Sequence, residues 1–152
     1  MRGGALEIDS VPSSVVVGPD GRLYVSFVTG GPFPAGLSPV YAYAADGTQE
    51  VFVTGLTMVN DLAFDSSGRL YACILSTNFV EQAPGQIVRI ESDGSTSVLL
   101  DGLPVPGSIA FDAEDNLYAT LFSAVAPDGG QLIRIAGFGA AGDATPEATP
   151  VS

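Results

Sequence analysis

Leu23, Val25 and Phe27 alternate with Tyr24 and Ser26, a period of two that marks a β-strand with its side chains turned to opposite faces. The same alternation returns in short runs along most of the chain. Between the runs lie turns: GPDG ahead of Leu23, DSSG ahead of Leu70 and DAEDN ahead of Leu117. Asp-Gly and Asp-rich turns supply residues that tolerate positive φ or bond their own backbone two residues on. No stretch shows the period of an amphipathic helix, so the pattern predicts an all-β chain.

The pattern also repeats. Leu-Tyr occurs at 23–24, 70–71 and 117–118, a constant period of 47 residues. Around it SSVVVGPDGRLYV (13–25), NDLAFDSSGRLYA (60–72) and GSIAFDAEDNLYA (107–119) align without a gap. YAYAADG (41–47) matches VRIESDG (88–94), and Gly55-Leu56 matches Gly102-Leu103. In the third copy LIRIAG (132–137) arrives two residues early. The first two copies read as four strands, such as SSVVV, LYVSFV, VYAYA and EVFVTGL in the first.

Four antiparallel strands per unit, repeated head to tail, describe the blades of a β-propeller. A four-stranded sheet has two faces to cover, and blades stacked round an axis cover both. Val15/Val17, Leu62/Phe64 and Ile109/Phe111 are therefore expected between blades. Each large side chain buried there contributes roughly 1.5–3 kcal/mol. A sandwich of repeated meanders is the alternative fold, disfavoured by the even self-similarity. Residues 11–56, 57–103 and 104–138 are the expected blades, the third incomplete. Residues 1–10 read as a partial outer strand of a preceding or closing blade, and 139–152 as a disordered Ala/Thr/Pro-rich tail. Propellers close with about four to eight blades, more than this chain supplies. The expectation is part of a larger ring. The alternative is a homodimer that completes a six-bladed ring, because a lone arc would expose two apolar blade faces.

Composition narrows the function. The chain has 152 residues and a net charge of −12, with Arg as its sole basic residue type and no His. Such a chain is repelled by phosphate backbones and anionic lipid, so no nucleic-acid partner is expected. No apolar run approaches the roughly 20 residues of a membrane span, so no membrane insertion is expected either. Absence of His removes the commonest general base and rules out Ser-His or Cys-His nucleophiles within this chain. The single Cys73 allows no intrachain disulfide. Its repeat equivalents are Ser26 and Thr120, so the position calls for a small side chain rather than a thiolate. The opening MRGGALEIDS lacks the apolar core of a signal peptide.

VGPDGRLYVSFVTGGPFPAGLSPVYAYAADG resembles the blade pattern of ScyD/ScyE-type proteins, six-bladed NHL/SMP-like propellers named for association with biosynthesis of the pigment scytonemin. GGPFPAG (30–36), followed by a Val-Tyr strand, is the most specific part of the match. GLTMVNDLAFDSSGRLY with PGQIVRI, and PGSIAFDAEDNLYAT with GGQLIRI, fit later blades of the same type. The resemblance covers roughly residues 11 to 137 and implies the C-terminal half of such a protein. It implies a propeller more firmly than an activity, and an extracellular or periplasmic parent.

Three places could carry chemistry. Asn60 and Asp61 open the innermost strand of the second blade, near one mouth of the central channel. They also resemble segments of gluconolactonase-type propellers, whose channel metal is held by Asn, Asp and Glu. A hard cation such as Ca²⁺ needs several converging oxygens. The sister positions are Ser13-Ser14 and Gly107-Ser108, and the lactonase Asp falls at Gly107. The plainer reading is that the pair caps a strand and bonds neighbouring loops. Asp20, Asp46, Asp65, Asp93, Asp112 and Asp128 lack the spacing of a calcium loop and are expected to serve as turn residues. The long loop TGGPFPAGLSP (29–39) carries Phe33, either an exposed contact for a ligand or partner, or a cover for the blade edge. STNFVEQAPGQ (76–86) and SAVAPDGGQ (123–131) occupy the same place in their blades, so all three loops are expected on one face.

The leading expectation is a binding or interaction module without catalysis, taking a small molecule or a protein, with no cofactor evident and calcium unsupported. One alternative is a metal-dependent gluconolactonase-like hydrolase. Another is a structural repeat of a secreted protein.

Overall fold

The computed structural model describes residues 9–123, 129–139 and 148–150. Every regular element among them is a strand, and the strands form three four-stranded antiparallel sheets. The first holds β1 (Ser10–Val17), β2 (Leu23–Thr29), β3 (Ser38–Tyr43) and β4 (Gln49–Leu56) in sequence order. The second holds β5 (Val59–Phe64), β6 (Leu70–Ile74), β7 (Gly85–Ile90) and β8 (Thr96–Leu103). The third holds β9 (Ser108–Phe111), β10 (Leu117–Leu121), β11 (Gln131–Ile135) and β12 (Ala148–Pro150). The inner strand β5 neighbours both β1 and β9, so the sheets stand as adjacent blades.

β12 corrects the expectation of a disordered tail over 139–152 and of a third blade without its fourth strand. Ala148, Thr149 and Pro150 pair antiparallel with Ile135, Arg134 and Ile133. An outermost strand needs only its neighbour's backbone, so it can lack the alternation by which sequence reveals strands. Pro is tolerated on such an edge. The partial outer strand expected within residues 1–10 falls mostly outside the described residues; β1 starts at Ser10.

Register gives each blade two distinct faces. Val15, Val25, Tyr41 and Val51 form one row across all four strands of the first blade. Leu62, Ala72, Val88 and Val98 form the same row in the second. This is the leucine face, which also carries Leu23, Leu70 and Leu117. The opposite, tyrosine face carries Tyr24 beside Val16 and Ala42, and Tyr71 beside Ala63 and Arg89. The tyrosine face of one blade lies on the leucine face of the next. Tyr24 meets Phe64 edge-on at 5.3 Å, and Tyr71 meets Phe111 at 4.8 Å. Two core clusters result, one around Val40, Val59 and Leu62 and one around Cys73, Ile87 and Ile109. Leu62 and Ile109 are buried as expected, whereas Val15 and Val17 are exposed because no described residue covers the first blade's leucine face.

The acidic turns do local work. Asp46 and Asp93 each accept the backbone N–H two residues on, at 2.9 Å. So do Asp20, Asp65 and Asp112, at 3.0–3.1 Å. Asp128 lies outside the described residues. These last three also receive the tyrosine hydroxyl of their own blade: Tyr24 to Asp20 at 2.9 Å, Tyr71 to Asp65 at 2.9 Å and Tyr118 to Asp112 at 3.2 Å. Burial pushes the Tyr71 phenol well above its usual range. Between the second and third blades, Asp115 accepts from the backbone N–H and the hydroxyl of Ser66 at 2.8 and 2.6 Å.

Hydrogen bonds from Arg22, Asn116 and Ser66 hold Asp20, Asp112 and Asp115 respectively below the ordinary value of 3.8. A carboxylate whose folded-state pKa is depressed stabilises the fold above its unfolded value. That stabilisation is lost as pH falls through the lowered value. Thermal midpoints are therefore expected to fall on acidification below about pH 4. Asp115→Asn should flatten that dependence, as melts recorded between neutral and strongly acidic pH can check.

Candidate functional site at the channel mouth

β5 begins beside the end of β6, with Val59 opposite Ile74, so Asn60 and Asp61 share a face with the β6–β7 loop. β1 and β9 bring Ser14 and Ser108 to the same place, because the three residues occupy one position of the repeat. The Asp61 carboxylate accepts four bonds. One oxygen receives Ser14 Oγ at 2.7 Å and the Leu62 N–H at 2.9 Å. The other receives Ser108 Oγ at 2.6 Å and the Ile109 N–H at 2.9 Å. All three blades therefore meet on one side chain. Charge-assisted bonds of this kind are stronger than neutral ones, and together they use the acceptor sites of the carboxylate.

Asn60 donates through Nδ2 to the carbonyl of Gly107. Ser13 Oγ donates to the carbonyl of Val59 at 2.6 Å. Each thus bonds the blade that follows it. At Gly107 there is no room for a side chain: an added Cβ would lie 2.1 Å from Ser123 Oγ. A carboxylate at this position, as the lactonase pattern has, is excluded unless Ser123 moves. Among the described residues, no group of three or more His, Cys, Asp or Glu side chains could hold a metal.

Cys73 lies behind the mouth, paired with Asp61 across β5 and β6 and fully buried. Burial, reinforced by the Asp61 charge, pushes its thiol up to about 12. Such a thiol is neutral at physiological pH and a poor nucleophile.

Phe33 sits on the same face of the arc. Its ring packs on Phe79 of the next blade's loop, with centroids 4.8 Å apart. Phe33 is half-buried and Phe79 exposed, with Leu37 and Val80 exposed nearby in the same two loops. Phe79 was missed in the sequence because it stands one residue out of register with Phe33. Thr29 Oγ1 and Ser38 Oγ, at the two feet of the Phe33 loop, are buried without a hydrogen-bond partner among the described residues.

No family model matches the chain, and no curated protein does. Solved structures do. The PQQ-bound form of aldose sugar dehydrogenase from Streptomyces coelicolor superposes with a TM-score of 0.67 at 19% identity, covering 91% of this chain and 49% of that one. A gluconolactonase from Xanthomonas campestris gives 0.57 at 13% identity, covering 100% and 60%. A luciferin-regenerating enzyme gives 0.57 at 17%, covering 96% and 45%. The fold is a β-propeller. The chain spans about half the length of the propellers it matches.

Two outcomes are expected from the geometry. Asp61→Ala strands donors from three blades and should cost about 2–4 kcal/mol in urea unfolding, while Asp61→Asn, which keeps an acceptor, should cost less. Cys73 should resist a thiol reagent in the folded protein, its labelling appearing only as denaturant unfolds the chain.

Proposed function

We propose that this chain is a β-propeller binding module of the ScyD/ScyE type, in an exported parent, and that it docks a small molecule or protein on the face carrying the channel mouth. One observation carries the choice of face. Of the six described non-glycine residues with positive φ, five, Phe33, Met58, Gln82, Val105 and Phe122, between 44° and 58°, lie in the loops of that face, the sixth being Asp115 in a turn at the other end. Non-glycine residues held there store strain, and such strain collects at ligand clamps and switch regions.

A gluconolactonase-like hydrolase is the second reading, favoured by the fold similarity and by Asn60 at the mouth. Its weakness is that Asp61 is already saturated by protein donors and position 107 is a glycine, carrying no carboxylate.

Calcium and zinc titrations separate the two. A metal at a hundred times its Kd would stabilise the fold by about 2.7 kcal/mol, a rise of roughly 5–10 °C for a domain of this size. The expected result is no shift with either ion and no hydrolysis of glucono-δ-lactone. A metal-dependent rise that disappears in Asn60→Ala, together with lactone hydrolysis, would reverse the assignment.

A further inference from the structure

Among the described residues, the arc leaves two unlike faces uncovered, the leucine face of the first blade and the tyrosine face of the third. On the leucine side, Val15 is 60% exposed where its equivalents Leu62 and Ile109 are 2% and 5%. Leu23 is 44% exposed where Leu70 and Leu117 are 3% and 0%. Val25, Tyr41 and Val51 complete the apolar row beside them. On the tyrosine side, Thr120 and Leu132 of the third blade are exposed where their equivalents Ser26 and Cys73, and Val40 and Ile87, are buried. Tyr118 stands where Tyr24 and Tyr71 receive the next blade's Phe64 and Phe111. The repeat places Val17 at that phenylalanine position, and Val17 is exposed. Arg134 fills the position of Arg89, whose side chain is 20% exposed beneath the third blade.

We propose that the occupant of both faces is a second copy of this chain, joined head to tail. The tyrosine face of the third blade of one copy lies on the leucine face of the first blade of the other, at two identical junctions. The template is the junction the chain makes twice within itself. The described residues leave one open half of each kind, so one further copy of this chain satisfies both at once. Two arcs of three blades make six, within the four to eight at which propellers close. A heterologous contact that closes leaves no free face and stops growing, whereas one that does not close makes filaments. This inference does not depend on what the channel mouth binds.

The test is the mass of the 152-residue chain by light scattering at about 50 µM, above the ~1 µM dissociation constant of a moderate interface. The expected mass is twice 15.5 kDa. Leu23→Glu, placed on a side chain exposed in the single arc, should return the chain to 15.5 kDa with an unchanged far-UV spectrum. Thr120→Arg, on the other half of the junction, should do the same. Mixing these two variants leaves one unaltered junction per pair and should recover part of the doubled mass. Val80→Glu, at a more exposed apolar residue on the loop face, should leave the mass doubled. A wild-type monomer at this concentration overturns the proposal and assigns the open faces to other blades of a longer polypeptide. Species larger than two copies overturn it as well, because they show that the junctions do not close. A dimer that survives both Leu23→Glu and Thr120→Arg overturns the assigned faces.

Discussion

A four-stranded sheet can hide one face behind another sheet, but not both behind the same one. In this protein that constraint is met by laying each tyrosine face on the next leucine face, and the other features follow from it. The 47-residue period, the small residues Ser26 and Cys73 opposite large ones, and the ring contacts of Tyr24 and Tyr71 all serve that contact. Each tyrosine hydroxyl needs a partner at the rim of the contact, and the turn carboxylates provide it. They do so from different places. Asp65 and Asp112 precede their turns, while Asp20 lies inside its own. The fold holds an oxygen at a point in space rather than at a position of the repeat.

Most of the fold was legible in the sequence because its signals are local. Period-two alternation and Asp-Gly turns mark strands and corners within a few residues, and eleven of the twelve strands overlap stretches that read as strands or repeat equivalents of them. β12 was not legible, since an edge strand of Ala, Thr and Pro is specified by the backbone of β11 and not by its own pattern. Exposure of Val15 and Val17 could not be read from the first blade alone either, because burial there depends on a neighbour.

The candidate site was half legible. Asn60 and Asp61 stood out because the sister blades do not share them. That difference pointed to a ligand, yet the partners of Asp61 are the sister residues themselves. Ser14 and Ser108 occupy its own repeat position, and residues equivalent by repeat converge at the axis. Two hydroxyls at that position, flanking one carboxylate, are a signal for a bonded trio. Phe79 illustrates the opposite limit: a loop contact one residue out of register follows no period.

Asp61 also changes how the arc can come apart. In a simple array each repeat leans only on its neighbours, and an end unit can fray with little effect on the far side. Here the first and third blades each supply a hydroxyl to one carboxylate of the second. If either end blade peels away, a partly buried charge loses donors at once, and the penalty falls on the blade that stayed folded. The Asp61 trio is thereby a cooperative joint, and opening at one end of the arc is resisted at its centre.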